Sequence, residues 1–322
     1  MMKASRSSTA LLLCLVACGG DGGPTPAVPT VPDTSIAAGT VLTLVSAETG
    51  QPVSRGTVTA GGRAYPINAA GQVSLAERTP PGSLVDVVAD GFLDRQTLLR
   101  SSDETRFPLW PRTSASGLNE HITGALVYGD VAPVCGEARR VGEFAMIRIR
   151  PGATQVLVVP QPEVVANPAT HAAIVGGVDI VNQATGGRIA FSLAAQKGGG
   201  VNFEVRFATP QDPICSPGTT GGYFDAVFSG LEVTGATITL CTPREMAELV
   251  GHELGHGLGF AHSPDPADIM SFCLPLPRRF SPKEMLLIEL MYQRRAGNRF
   301  PDNDRGATGT LQLTRRVIVC RL

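Results

Sequence analysis

The sequence predicts an α+β protein in which a small all-β domain precedes a larger domain of mixed strands and helices. Three observations lead there. The chain of 322 residues carries 37 Gly and 25 Pro, a turn-rich composition that favours short strands over a helical bundle. After the amino-terminal region come evenly spaced β-branched runs separated by turn residues, the pattern of a β-sandwich. Beyond these, strand-period and helix-period segments are mixed. The length fits two domains, and a hydrophobic content of 43% can fill a core in each. The net charge of −1 lacks the basic excess that binding a nucleic-acid backbone requires, so no nucleic-acid partner is expected.

Residues 1–18 read MMKASRSSTALLLCLVAC. Lys3 and Arg6 precede an apolar run, Ala10 to Ala17, that is too short to span a bilayer as a mature helix, so the segment reads as an export signal. Leu15-Val16-Ala17-Cys18 resembles the lipobox of bacterial lipoproteins. That resemblance implies that Cys18 is acylated, becomes the first mature residue, and anchors the protein to the bacterial outer membrane or cell surface. The alternative is an ordinary secretory signal and a secreted protein. Residues 19–35, which open GGDGGPTPAVPTVP, form a flexible Gly/Pro tether. No other stretch reaches transmembrane length, so a lipid anchor is the one membrane contact expected.

Five cysteines lie beyond the signal: Cys135, Cys215, Cys241, Cys273 and Cys320. Disulfides are permitted outside the cytoplasm. Five thiols cannot all pair within one chain, and the pairing stays open at this level. No CxxC spacing occurs, which argues against a cysteine zinc site or a thioredoxin-like redox pair.

The expected sandwich covers 36–112. Its strands are Thr40 to Val45, Arg55 to Ala60, Ala64 to Ile67, Gln72 to Leu75, Ser83 to Ala89 and Arg95 to Leu99, with turns at Glu48–Pro52 and Gly61-Gly62. The runs TGQPVSRGTVTAGGRAYPINAAGQVSL and VDVVADGFLDRQT resemble carboxypeptidase regulatory-like domains. The resemblance implies an accessory module, and no catalytic constellation appears in it.

The second domain is expected over 118–322. Phe144 to Arg150 alternates as a half-buried strand. Asn167-Pro168 opens a helix, Ile174, Val178 and Val181 line one face of it, and Gly186-Gly187 ends it. Val201 to Phe207, Tyr223 to Phe228 and Ala236 to Leu240 follow as strands. Thr242, Pro243 and Glu245 form the start signals of a further helix.

That helix carries HELGHGLGFAH, residues 252 to 262. Met246, Val250, Leu254 and Leu258 recur every four residues as its buried stripe. His252 and His256, four apart, present two imidazoles on another side to one metal. Glu253 adjoins His252, where it reaches a metal-bound water without ligating the metal. Gly259 lets the backbone leave the helix with positive φ, and His262 supplies a third nitrogen. Three His with one open position are the ligands of a catalytic zinc site.

HExxHxxGxxH is the motif of the metzincin zinc endopeptidases. The continuation Ser263-Pro264-Asp265-Pro266-Ala267-Asp268-Ile269-Met270 resembles the matrixin signature. The resemblance implies that Met270 is the Met-turn methionine beneath the metal, and that the domain is a zincin-like mixed sheet with an active-site helix. It also implies one catalytic Zn2+, a polypeptide substrate, and hydrolysis through a zinc-bound water with Glu253 as general base. In that family an extended peptide lies along an edge strand beside the cleft, a place that Tyr223–Ser229 or Leu231–Thr234 fits. Ser281-Pro282-Lys283-Glu284 caps a last helix with Met285, Ile288 and Tyr292 on one face. Ser271 and Phe272 stand where matrixins carry Tyr and Pro. Only His121 and His171 remain outside the motif, too few for a second His-rich zinc site. Asp302-Asn303-Asp304 reads as a solvated turn, with calcium binding as the alternative. Cys135, in Pro133-Val134-Cys135-Gly136, resembles the matrixin cysteine switch only faintly; the motif is incomplete, no switch is expected, and a disulfide is the alternative. The competing reading is a non-catalytic surface lipoprotein that binds peptides or glycans through the cleft or the sandwich. An intact Glu253 favours the enzyme, since a binding protein needs no general base. The oligomeric state is left open.

Overall fold

The computed structural model describes residues 35–304, apart from 102, 104, 130–141, 143, 216–219, 242–245 and 272–274, together with the strand 315–321. The export signal with Cys18, the tether up to residue 34, Cys135 and Cys273 lie outside the described residues, as do Thr242, Pro243 and Glu245.

The fold is mixed α+β. Its first part comprises β1 (Val41–Ser46), β2 (Gly56–Ala60), β3 (Arg63–Pro66), β4 (Gln72–Ser74), β5 (Ser83–Ala89), β6 (Arg95–Leu99) and β7 (Arg106–Leu109). They form two sheets, in the orders β4-β1-β7 and β3-β2-β5-β6. Period-two alternation drives this arrangement: in β5, Val85, Val87 and Ala89 are buried while Val88 between them is exposed. These side chains join Leu42, Leu44, Val58, Leu99 and Phe107 in one apolar cluster. The strand pattern missed β7, whose Pro108 demotes a run. It sits at a sheet edge, the position proline tolerates.

The second part contains α1 (Glu120–Tyr128), β8 (Arg148–Ile149), β9 (Gln155–Pro160), α2 (Pro162–Val165), α3 (Pro168–Thr185) and β10 (Ala190–Leu193). There follow β11 (Val201–Phe207), β12 (Thr220–Ser229), β13 (Glu232–Leu240), α4 (Ala247–Leu258), α5 (Pro282–Met291) and β14 (Arg315–Arg321). The sheet order is β10-β9-β11-β13-β12-β14, with β8 pairing β13. β9, β10, β11 and β13 are parallel, whereas β12 runs antiparallel to both β13 and β14. α4 packs against α3 and beside β12 and β13.

Several expectations need correction. Tyr223–Ser229 is not an edge: β14 pairs with β12 from Thr220 to Val227, so β12 is an inner strand. Leu231–Thr234 does not supply the edge either, because Glu232 and Val233 belong to β13 and pair with β8. Only Arg148 and Ile149 of the expected strand 144–150 join the sheet. Its earlier part bonds elsewhere, with Met146 N donating to Asn298 O at 2.8 Å and Gly297 N donating to Met146 O at 2.8 Å. α4 is described from Ala247, with Met246 extended at the N-cap and no side-chain cap bond. Of the face expected on α5, Ile288 is buried whereas Met285 is 37% exposed; Glu284, Leu287 and Leu290 are buried as well. The open disulfide question gains one answer, Cys215–Cys241, which joins the segment before β12 to the end of β13.

The two parts also share material. Leu93 and Trp110, from the β-rich part, belong to the apolar cluster of the second part. Gln96 N donates to Asp302 O at 2.9 Å. The expected solvated turn at Asp302-Asn303-Asp304 is in fact buried, with Asp302 at 0% and Asp304 at 5% exposure. Asp302 accepts two bonds of 2.7 Å from Arg294, and Asp304 accepts from Arg95 and Thr97. Burial of carboxylates is tolerable only with such partners. These arginines occupy the carboxylate oxygens that calcium would need, so the calcium reading gains no support here.

Candidate metal centre

The centre is built on α4. From Leu249 to Leu258 every residue of this helix is buried. Val250, Leu254 and Leu258 fill the apolar cluster at 0% exposure, as the four-residue repeat requires. The next side of the helix carries His252 and His256. At Gly259 the backbone turns left-handed, with φ of 115°, and an added Cβ would lie 2.2 Å from Ile147 O. Only glycine meets both conditions. The returning chain is fixed by Ala261 N, which donates to Leu126 O of α1 at 2.7 Å. That return delivers His262 to the other two.

The structure therefore brings all three expected ligands together. Candidate ligand atoms of His252, His256 and His262 lie within 4.8 Å of one another, and the residues are 2%, 0% and 1% exposed. Two backbone carbonyls orient the rings. His252 Nδ1 lies 2.6 Å from Ile269 O, and His256 Nδ1 lies 2.9 Å from Phe260 O. A carbonyl only accepts, so each Nδ1 carries the hydrogen and each Nε2 the lone pair. His252 Nε2 is buried and has no hydrogen-bond partner among the described residues. Burial, set against the bond to Ile269, pushes His252 down to about 4, so its imidazole is neutral at pH 7. A neutral imidazole with its Nε2 lone pair directed into a buried cluster of nitrogens is the ligand form a divalent metal needs. The donor set of three nitrogens fits zinc.

Glu253 is 0% exposed. Its carboxylate faces β12: a Cβ built on Gly222 would lie 3.0 Å from Glu253 Oε1. Met270 is fully buried, and a Cβ at Gly255 would lie 2.3 Å from its Sδ. The thioether thus packs on the helix turn between His252 and His256. Ser271 is buried, while Phe272 lies outside the described residues. His121 and His171 take no part in the cluster.

Sequence reasoning missed the supports of the turn carrying Met270. Glu284 was legible as the capping-box residue of α5, and it forms that box with Ser281. Its carboxylate also accepts from Ile269 N at 3.3 Å and Met270 N at 2.9 Å. Burial, then the nearby Asp268 carboxylate, pushes Glu284 up to about 7. Asp268, 0% exposed, accepts from Ser263 and Ser281 and pairs with Lys283 at 2.9 Å. The sequence signal was present, in the acidic residues between His262 and the capping box, but their convergence is a tertiary fact. Glu284→Ala is expected to lower stability by about 3 kcal/mol in urea denaturation, because three backbone N–H groups lose a buried acceptor. It is also expected to weaken zinc binding, since Ile269 O orients His252.

No protein-family model matches the chain, and no curated protein matches it.

Proposed function

We propose that this chain is a zinc-dependent endopeptidase of the matrixin-like metzincin type. The observation that carries the reading is the convergence of three buried imidazoles, within 4.8 Å, beside the buried carboxylate of Glu253. HExxHxxGxxH, running from α4 through the Gly259 turn to His262, the Met270 thioether under Gly255, and the mixed sheet against which α4 packs all support it. His252, His256 and His262 would hold the zinc.

Zinc in such a site supplies Lewis acidity, lowering the pKa of a water and polarising the scissile carbonyl. The rest falls to the chain's own groups. Glu253, adjacent to His252 on the helix, accepts the proton of the attacking water and delivers it to the leaving amine nitrogen as the C–N bond breaks. Burial of Glu253 keeps bulk water from competing for that proton. The carbonyls of Ile269 and Phe260 hold two imidazoles in the tautomer that ligates. The β-rich part serves as an accessory domain, a β-sandwich in this reading. Export and lipid anchoring at Cys18 would place the peptidase at the cell surface, with no membrane contact beyond the anchor.

A chelator test follows directly. Treatment with 1,10-phenanthroline is expected to abolish cleavage of an unfolded protein such as casein, and stoichiometric zinc to restore it. Cleavage that survives complete zinc removal would count against the proposal.

A further inference from the structure

The sheet that carries the metal centre has one side next to α4, and β12 lies there. Two residues of β12 touch the centre. Gly222 faces Glu253, and the Phe224 ring lies 6.2 Å from the His256 ring, centroid to centroid. The outer side of β12, away from β13, is therefore the sheet margin nearest the metal centre. An extended peptide adds most readily to such a margin, through main-chain hydrogen bonds.

That margin is already occupied by a segment of this chain. β14 runs antiparallel along it, with Arg316 opposite Ala226, Ile318 opposite Phe224 and Cys320 opposite Gly222. The register thus sets Ile318 and Cys320 across from the two residues of β12 that touch the site. Ile318 is 1% exposed, so the strand is seated, while Val317 next to it is 36% exposed. Among the described residues β14 has no second strand partner: it is the last in the order β10-β9-β11-β13-β12-β14. A strand held from one side is the part of a sheet most easily exchanged for another strand.

We propose that β14 is an internal competitor for the substrate strand. Residues 315–321 hold the β12 margin beside Glu253, and an extended peptide must displace them to align with the metal centre. The proposal rests on the peptidase reading and adds its regulation. It also names the substrate class: an extended backbone that pairs with β12, with an apolar side chain opposite Phe224 where Ile318 now sits. A competing strand lowers apparent substrate affinity by the fraction of molecules in which it is displaced. Anything that removes β14 from β12 therefore activates the enzyme.

The test uses the full chain with Val317→Pro and Ile318→Pro together. One of two adjacent N–H groups in a strand faces its partner, so the double change removes a ladder bond whichever it is. The expected result is a fall in KM for an extended peptide of about tenfold, for a strand displaced in one molecule of ten, with kcat little changed and zinc content unaltered. A second measurement covers a variant that fails to fold. In the unsubstituted β14 background, Glu253→Gln is mixed with the same peptide, and amide hydrogen exchange is followed. The peptide is expected to accelerate exchange at 315–321 while β13 stays protected. Equal KM in both proteins, or unchanged exchange at 315–321 on peptide binding, overturns the competitor and leaves the peptidase standing. A loss of cleavage in a folded, zinc-loaded variant also overturns it, because β14 would then build the site. No cleavage and no peptide-induced exchange in any of the proteins overturns both readings.

Discussion

Glu253→Gln is expected to leave zinc content and fold unchanged and to reduce kcat/KM for peptide cleavage about 1,000-fold, within the range usual for removal of a positioned general base. The reason lies in the division of labour at the site. Glu253 is not among the three converging ligands, so its replacement leaves the imidazoles of His252, His256 and His262 in place. Gln is nearly isosteric, so packing against Gly222 is kept. What disappears is a buried proton acceptor next to His252. The comparison is informative only at matched zinc occupancy, measured on the same samples. Unchanged cleavage at equal zinc would remove Glu253 from the mechanism. Absence of cleavage in both proteins at full zinc occupancy would favour a binding role for the cleft over catalysis.

Arg294→Ala should have the largest effect on stability, a loss of about 4 kcal/mol in chemical denaturation. Arg294 and Asp302 form a 2.7 Å ion pair with both side chains at 0% exposure. Arg294 also donates to Pro108 O of β7 at 2.7 Å, and its guanidinium lies 5.1 Å from the Trp110 ring centroid. Truncation leaves the Asp302 carboxylate buried and short of its cation, and that uncompensated charge dominates the penalty. Asn298 still donates to the Asp302 carboxylate, at 2.9 Å, but carries no charge. A double change, Arg294→Met with Asp302→Leu, is expected to recover much of the loss, because it removes both buried charges. If Arg294→Ala proves neutral, the cluster does not hold the two parts of the chain together.

Local signals carried those elements that could be read in advance. α3 begins at Pro168 with Asn167 accepting from Thr170 N, and ends at a left-handed Gly186, as its cap residues indicated. The Ser281–Glu284 box of α5 formed as written. β5, β6 and β11 have the expected bounds, since alternation in a half-buried strand is visible residue by residue. The misses have the opposite character. α1 is buried at every position from Ile122 to Tyr128, so no polar face marks it as a helix. β9, QVLVVP, is an apolar run in the interior of a parallel sheet, without alternation to announce it. β14 depends on pairing with a strand far away in sequence, which no local pattern encodes.

The site divides in the same way. Helix periodicity alone places His252 beside His256, and Gly259 lets the backbone turn back toward His262. The carbonyls of Ile269 and Phe260, and the links from Asp268 and Glu284 to the Met270 turn, come from segments that meet only on folding. Contacts between the two parts were hidden from local patterns for a related reason. Leu93, Trp110 and Arg95 belong to the β-rich part by position, yet each also has partners in the second part.

The zinc content of the purified full chain, measured by mass spectrometry beside His256→Ala, bears most directly on the claim that these histidines form a catalytic metal centre. The expected result is about one zinc per chain, falling to a small fraction in the variant, as for a site with three protein ligands. Less than about half an equivalent after zinc addition, or the same content in both proteins, would contradict it.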